Sequence, residues 1–104
     1  MTSYKLKIDA DALKDVQEIS DWYNRRSPQL GLRFKKELLK QISLLRISPY
    51  SFNIRYHNVH CLLMKNFPFM AHYKIDEDIR TIIIFAVIHT SRNPKIWEER
   101  SDNS

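Results

Sequence analysis

Ile82-Ile83-Ile84-Phe85-Ala86-Val87-Ile88 is an unbroken apolar run, most of it β-branched. No polar residue alternates within it, so neither face of such a strand can meet water. It predicts a central strand covered on both sides, inside a longer strand over 80–89. The run is far short of the roughly 20 residues that a membrane span needs. Upstream, the stretches 52–56, 59–65 and 69–75 carry the same aromatic and β-branched composition. His57-Asn58, Asn66-Phe67-Pro68 and Asp76-Glu77-Asp78 separate them, residues that turn a chain without glycine. The second half is therefore expected to be an antiparallel meander.

The first half has another period. Tyr4-Lys5-Leu6-Lys7-Ile8 alternates apolar and charged residues, the pattern of a half-buried strand. Asp9 or Asp11 then offers a helix N-cap. Ala12, Val16, Ile19 and Tyr23, with Leu13 and Ser20 beside them, form one helical face. Arg25 and Arg26 fall in the last turn, where cations suit the helix dipole. Ser27-Pro28 reads as N-cap and first residue of a second helix. Its apolar stripe is Leu30, Phe34, Leu38, Ile42 and Leu45, opposite a solvated side with Arg33, Lys36, Lys40 and Arg46. Ser48-Pro49 stops it. So short a connection predicts an antiparallel helix hairpin. Asn93-Pro94 opens a short final helix through Trp97 and Arg100, and 101–104 reads as a frayed tail. The expectation is an α+β, two-layer, β-α-α-β-β-β domain over 1–104, ordered from about 4 to 100. The helix hairpin packs on a small, mainly antiparallel sheet, with a short C-terminal helix.

Composition narrows the function. The 104 residues are 43% hydrophobic and 28% charged, ordinary for one globular domain. Lys+Arg 17 against Asp+Glu 12 leaves a net charge of +5, a property that bears on partners rather than on fold. Cys61 is the single cysteine, which excludes an internal disulfide and suits a reducing compartment. Met-Thr-Ser-Tyr-Lys-Leu-Lys has no apolar core of a secretory signal, so a cytoplasmic location is expected. Gly31 is the only glycine. Phosphate-binding loops and dinucleotide turns need several, because Cβ atoms keep the backbone from the phosphates. No cofactor is expected. His57-x-x-His60-Cys61 gathers three possible metal ligands, but His72 and His89 supply no second pair, and no metal site is expected. Cys61 lies in an apolar strand, the setting of an inert packing thiol.

Several phrases occur in a telling order: Ala12-Leu13-Lys14-Asp15-Val16-Gln17-Glu18-Ile19, Trp22-Tyr23, Ser27-Pro28-Gln29-Leu30-Gly31-Leu32-Arg33-Phe34 and Ser48-Pro49. Ile54-Arg55-Tyr56, Phe67-Pro68-Phe69, Tyr73-Lys74-Ile75-Asp76 and Val87-Ile88-His89-Thr90-Ser91-Arg92-Asn93-Pro94 follow. Together they resemble the RelE/ParE superfamily of bacterial toxins from type II toxin–antitoxin modules. The resemblance points to the ParE-like branch of plasmid stabilisation proteins, in which an H-x-x-R-x-P phrase follows the last strand. It implies a cytoplasmic growth inhibitor neutralised by a cognate antitoxin. One helix hairpin covers only one face of the sheet, so the antitoxin, or else a homodimer, is expected to bury the other. RelE-like members cleave mRNA on the ribosome, whereas ParE members poison DNA gyrase.

Metal-free RNA cleavage needs a group acting on the 2′-hydroxyl, cations on the phosphorane oxygens and an acid for the leaving oxygen. RelE-like toxins are expected to carry an Arg just after the final strand, where Thr90 stands, and a Tyr near Ile96 or Trp97. The resemblance therefore leaves His89 and Arg92 as catalytic candidates. Arg55, Tyr56, Lys65 and Trp97 are the candidates for target or partner contact. Each has a plain structural reading beside it. His89 ends a strand with its imidazole on backbone, and Arg92 pairs with Asp15, Glu18 or Glu98. Arg55 and Tyr56 position a loop, while Trp22 and Trp97 pack in the core.

Overall fold

The computed structural model describes residues 3–92. In chain order the elements are β1 (Lys5–Ile8), α1 (Ala10–Arg26), α2 (Leu30–Ser43), a 3₁₀ turn (Leu44–Arg46), β2 (Ile54–Tyr56), β3 (Val59–Leu63), β4 (Phe69–Asp76) and β5 (Thr81–His89). The five strands form one sheet in the order β1-β5-β4-β3-β2. The meander β2 to β5 is antiparallel as expected, but β1 adds to it in parallel, Lys5 opposite Thr81 and Ile8 opposite Ile84, so the sheet is mixed. The expected final helix around Trp97 lies outside the described residues.

β5 is an interior strand buried on both faces, as its composition requires. A register shift gives it this property: His72 pairs with Ala86 but Tyr73 with Ile84, leaving Phe85 as an extra residue. Ile82, Ile84 and Val87 therefore face the helices, whereas Phe85, Ala86 and Ile88 pack with Val59, Cys61 and Met70 on the other side. Strict alternation would have put Val87 on the wrong face. Past Ile84 the strand outruns β1, and α1 covers for it. Asp9 N–H donates to Ile84 O at 2.9 Å, and Asp15 Oδ2 accepts the Val87 N–H at 2.9 Å. A helix carboxylate thus replaces a missing strand.

Two helix boundaries differ from expectation. Asp9 occupies the N-cap position of α1 but makes no side-chain capping bond; its carboxylate lies 3.7 Å from Lys7 Nζ. Ser27-Pro28 does not start α2. Ser27 closes α1 with its N–H on Tyr23 O, and Gln29, in left-handed backbone at φ 68°, precedes the first helical residue Leu30. Reversal between helices needs one such residue, and a helix begun at Pro28 would leave no room for it.

Gly31 follows at once, where α2 crosses α1. Its N–H donates to Asn24 Oδ1 at 2.8 Å, and a Cβ there would stand 2.3 Å from Ser20 O and 2.5 Å from Ser20 Oγ. The lone glycine sets how closely the hairpin packs. Gly31→Ala is expected to force the helices apart and cost roughly 1–3 kcal/mol, read as a lower urea midpoint without change in slope.

The far end of the sheet is held by a polar clasp. Tyr4 and Tyr50 both donate hydroxyl bonds to Glu77, Tyr4 at 2.8 Å. Arg80 lies over the Tyr4 ring at 4.2 Å, and Tyr4 N–H bonds Arg46 O at 2.8 Å. Hydrogen bonding by Tyr50, then by Tyr4, holds the Glu77 carboxyl below its ordinary pKa. The bond to Glu77 in turn pushes Tyr50 up to about 12 and raises Tyr4. The clasp needs an ionised carboxylate and protonated phenols. Its contribution is present above the ordinary carboxylate pKa and is lost as pH falls through the lowered native value. At the alkaline end it is present below the phenol's ordinary pKa of 10 and is lost as pH rises towards 12. Glu77→Gln should flatten the acid limb of melting temperature against pH, measured beside the unaltered chain.

Candidate functional site

The sheet separates the candidate residues. Arg55 and Tyr56 sit at the β2 edge, Tyr56 packing against the cluster of Val59, Cys61 and Phe85 on the face away from the helices. Tyr56 hydroxyl and His72 Nδ1 are 2.9 Å apart, and Cys61 Sγ is 3.4 Å from the same nitrogen. Lys74 Nζ lies 5.5 Å from the Phe85 ring centroid on this face. Burial pushes the Cys61 thiol up to about 11, against a smaller opposite pull from the exposed Arg55 guanidinium. His60 is on the other face. It stacks on Tyr73 at 5.2 Å, with Nδ1 2.6 Å from Phe52 O. The His57, His60 and Cys61 triplet is thus divided between a turn and two faces.

His89 and Arg92 stand on the helix side, at the end of β5. Phe69 meets the His89 ring edge-on at 5.2 Å, and the Ser91 N–H donates to His89 Nδ1 at 3.1 Å. Accepting that bond leaves the proton of the neutral ring on Nε2. This is the backbone-bonded reading of His89. Arg92 follows in a turn closed by its N–H on His89 O at 3.0 Å, and Thr90 N–H bonds Pro68 O at 3.0 Å. Both residues line a cleft between α1 and the ends of β4 and β5. One lobe, of about 320 Å³, has walls of Trp22, Tyr23, Pro68 and Phe69; the next, of about 270 Å³, adds Asp15, Val87 and Arg92. Glu18, Ile19, Phe69 and His89 belong to both lobes.

Trp22 overturns its reading as a core residue. It is 42% exposed, at the rim of the cleft, with the Arg26 guanidinium 3.4 Å from its ring centroid. Tyr23 beside it takes the packing role, within 5.2 Å of Phe67 and 5.8 Å of Phe34. The two aromatics are adjacent in sequence, so helical geometry can turn only one of them inward. Arg92 shares the cleft with the carboxylates expected as its partners, but Asp15 is engaged by Val87 N–H. Lys65, just past β3, lies at neither site. Its N–H donates to Gln41 Oε1 at 3.2 Å, and it borders a separate groove under the C-terminal end of α2. Trp97 lies outside the described residues.

Residues 6–94 match the family model described as the ParE toxin of the type II toxin–antitoxin system parDE. The chain belongs to this toxin family. Solved structures agree in fold. The chromosomal ParDE system from P. aeruginosa aligns at 20% identity over 84% of this chain and 96% of that one, with a TM-score of 0.74. A mutant of the E. coli toxin RelE in the free state aligns at 15% identity over 97% of both chains, TM-score 0.74. The intact E. coli RelBE toxin–antitoxin complex aligns at 17% identity over 86% of this chain and 100% of that one, TM-score 0.67. Among curated proteins none matches. A ParDE and a RelE structure both reach a TM-score of 0.74, so the shared fold leaves the chemistry to the site. No helix among the described residues is long and apolar enough to cross a membrane.

In this ParE-family toxin the one thiol is an unreactive one. Cys61 is 6% exposed and its pKa stands near 11, so little thiolate forms at neutral pH. Thiol reagents at pH 7 should modify the folded chain at least 100-fold more slowly than the urea-unfolded chain. Rapid labelling of the native protein, followed by absorbance, would contradict this packing.

Proposed function

We propose that this toxin arrests growth in the ParE manner, by binding a target such as DNA gyrase, and that a cognate antitoxin from the adjoining reading frame holds it in check. The observation that supports binding over RNA cleavage is the division of the candidate groups by the sheet. His89 and Arg92 face α1, beside Asp15 and Glu18. Arg55, Tyr56, His72 and Lys74 lie at or on the opposite face. A phosphorane needs its cations and its proton donor around one point. A polyanion entering the His89 cleft would meet the carboxylates of Asp15 and Glu18 beside Arg92. An aromatic-walled cleft with arginines at its rim is the composition of a protein-binding hot spot. The matched family, the ParDE system and the RelBE and RelBE2 complexes among similar solved structures support an antitoxin partner, and a cytoplasmic toxin is consistent with them.

Expression of the chain alone should stop growth, and the purified chain should block supercoiling by gyrase while leaving a reconstituted translation system untouched. Defined mRNA ends produced on ribosomes would overturn this reading in favour of the endoribonuclease. Growth arrest should weaken in His89→Ala, Arg92→Ala and Arg55→Ala, each checked for folding by circular dichroism. Full toxicity in all three would move the target surface elsewhere.

A further inference from the structure

The faces of α2 have different fates. Phe34, Leu38 and Ile42 are buried towards the sheet, and Gly31 brings one flank against α1. The outer face keeps Arg33, Lys36 and Lys40, all exposed, around a shallow hollow of about 370 Å³ that Gln29, Leu32 and Glu37 complete. Arg33 to Lys40 spans two helical turns, roughly 10.5 Å of axis at 1.5 Å per residue. Cations this close repel one another, and a carboxylate three or four residues away ordinarily relieves them. Glu37 stands at that spacing from both Arg33 and Lys40. Its oxygens instead accept from Gln41 Nε2 and Asn66 Nδ2, each at 3.4 Å. Lys35 turns the other way, its Nζ donating to Gln17 Oε1 at 3.1 Å. Among the described residues, Arg33, Lys36 and Lys40 have neither an ion pair nor a hydrogen-bonded side-chain partner.

This stripe offers charge and little other recognition chemistry. No aromatic ring lines the hollow, so unpaired bases have nothing to stack on. A membrane surface would need the apolar face of α2, which the sheet already holds. Nor can α2 enter a major groove. Such a groove is about 12 Å wide and admits a bare helix, whereas α1 and the sheet occupy two sides of this one. A row of phosphates suits it better. One strand of duplex DNA carries a phosphate for every 3.4 Å of axis, so about three lie along the length of the stripe.

We infer that the outer face of α2 binds the phosphate backbone of duplex DNA, whatever its sequence, through Arg33, Lys36 and Lys40. The choice of DNA rests on the gyrase reading above, since that target works on duplex DNA. Release of counterions from the phosphates drives such a contact, and the net charge of +5 speeds encounter. Phosphate contacts position a protein on a duplex without reading bases. The hollow and the His89 cleft have no lining residue in common, so a protein target and its DNA can be held at the same time.

The test is fluorescence anisotropy of a labelled DNA duplex of about 20 base pairs, titrated with the full chain at several salt concentrations. Three phosphate contacts predict a slope of log affinity against log salt of about −2.7. Arg33→Gln, Lys36→Gln and Lys40→Gln should each reduce its magnitude by about 1, and the triple variant should weaken binding at least about tenfold. Lys14→Gln, exposed on α1, removes a charge elsewhere and should leave the slope unchanged. Melting temperatures show that folding is intact; if the triple variant melts early, the single variants decide. No binding by the unaltered chain at low salt overturns the contact. So does full binding by the variants, or a duplex RNA held at least about tenfold more tightly than the DNA. Supercoiling by gyrase separates the contact from the reading beneath it. If the unaltered chain leaves supercoiling untouched but loses DNA in the triple variant, the gyrase reading falls and the contact stands. If it blocks supercoiling and the triple variant keeps full DNA affinity, the contact falls and the reading stands.

Discussion

Burying Ile82, Ile84 and Val87 towards the helices and Phe85, Ala86 and Ile88 away from them makes β5 the strand that no other element can do without. Each such side chain taken from water contributes roughly 1.5–3 kcal/mol. That gain requires cover on two faces and bonds on two edges. β4 supplies one edge along the full length. The other edge is shared, β1 as far as Ile84 and then the Asp15 carboxylate of α1. Without Asp15 the Val87 N–H would face a buried region unpaired, a loss of about 1–3 kcal/mol. The position of α1 is thereby fixed from two directions, by its apolar stripe and by this bond.

Gly31 and the Glu77 clasp carry that constraint outward. The close hairpin crossing lets Phe34, Leu38 and Ile42 reach the sheet. The clasp joins the start of β1, the loop before β2 and the β4–β5 turn through one carboxylate. Local sequence signals agree with this at most positions, and such agreement across levels is what lets a chain specify one structure.

Patterns that are properties of a face were legible in the sequence. The helix stripes, the strand sites and the two-sided burial of β5 all follow from periodicity. What escaped were features set by a single distant partner. The bulge at Phe85 is invisible in an unbroken apolar run, because any register buries an apolar residue. Parallel addition of β1 depends on where the hairpin returns the chain, and alternation in Tyr4 to Ile8 is the same for either direction. Ser27-Pro28 carries a true helix-start composition, overruled because reversal required left-handed backbone at Gln29. For the site, the family-like phrases marked His89, Arg92, Arg55 and Tyr56, but a phrase does not say which face of a sheet its residues occupy. Trp22 was misjudged because size favours the core, and only the neighbour Tyr23 decides which ring goes inward. The groove at Leu44 and Ile47 had no motif to announce it.

Charge is distributed along the same lines. α1 bears Asp11, Asp15, Glu18 and Asp21 against Lys14, Arg25 and Arg26, whereas α2 bears Arg33, Lys35, Lys36 and Lys40 against Glu37. A partner that senses the whole +5 field is drawn to α2 and the neighbouring groove, where Lys65 continues the positive side. The His89 cleft lies instead on α1, where Asp15 and Glu18 face Arg92. Two surfaces of different charge on so small a domain allow two partners to be recognised by different chemistry. Whether they compete then depends on the bulk of each partner and on coupling through β3 and β4, since the groove and the cleft have no lining residue in common.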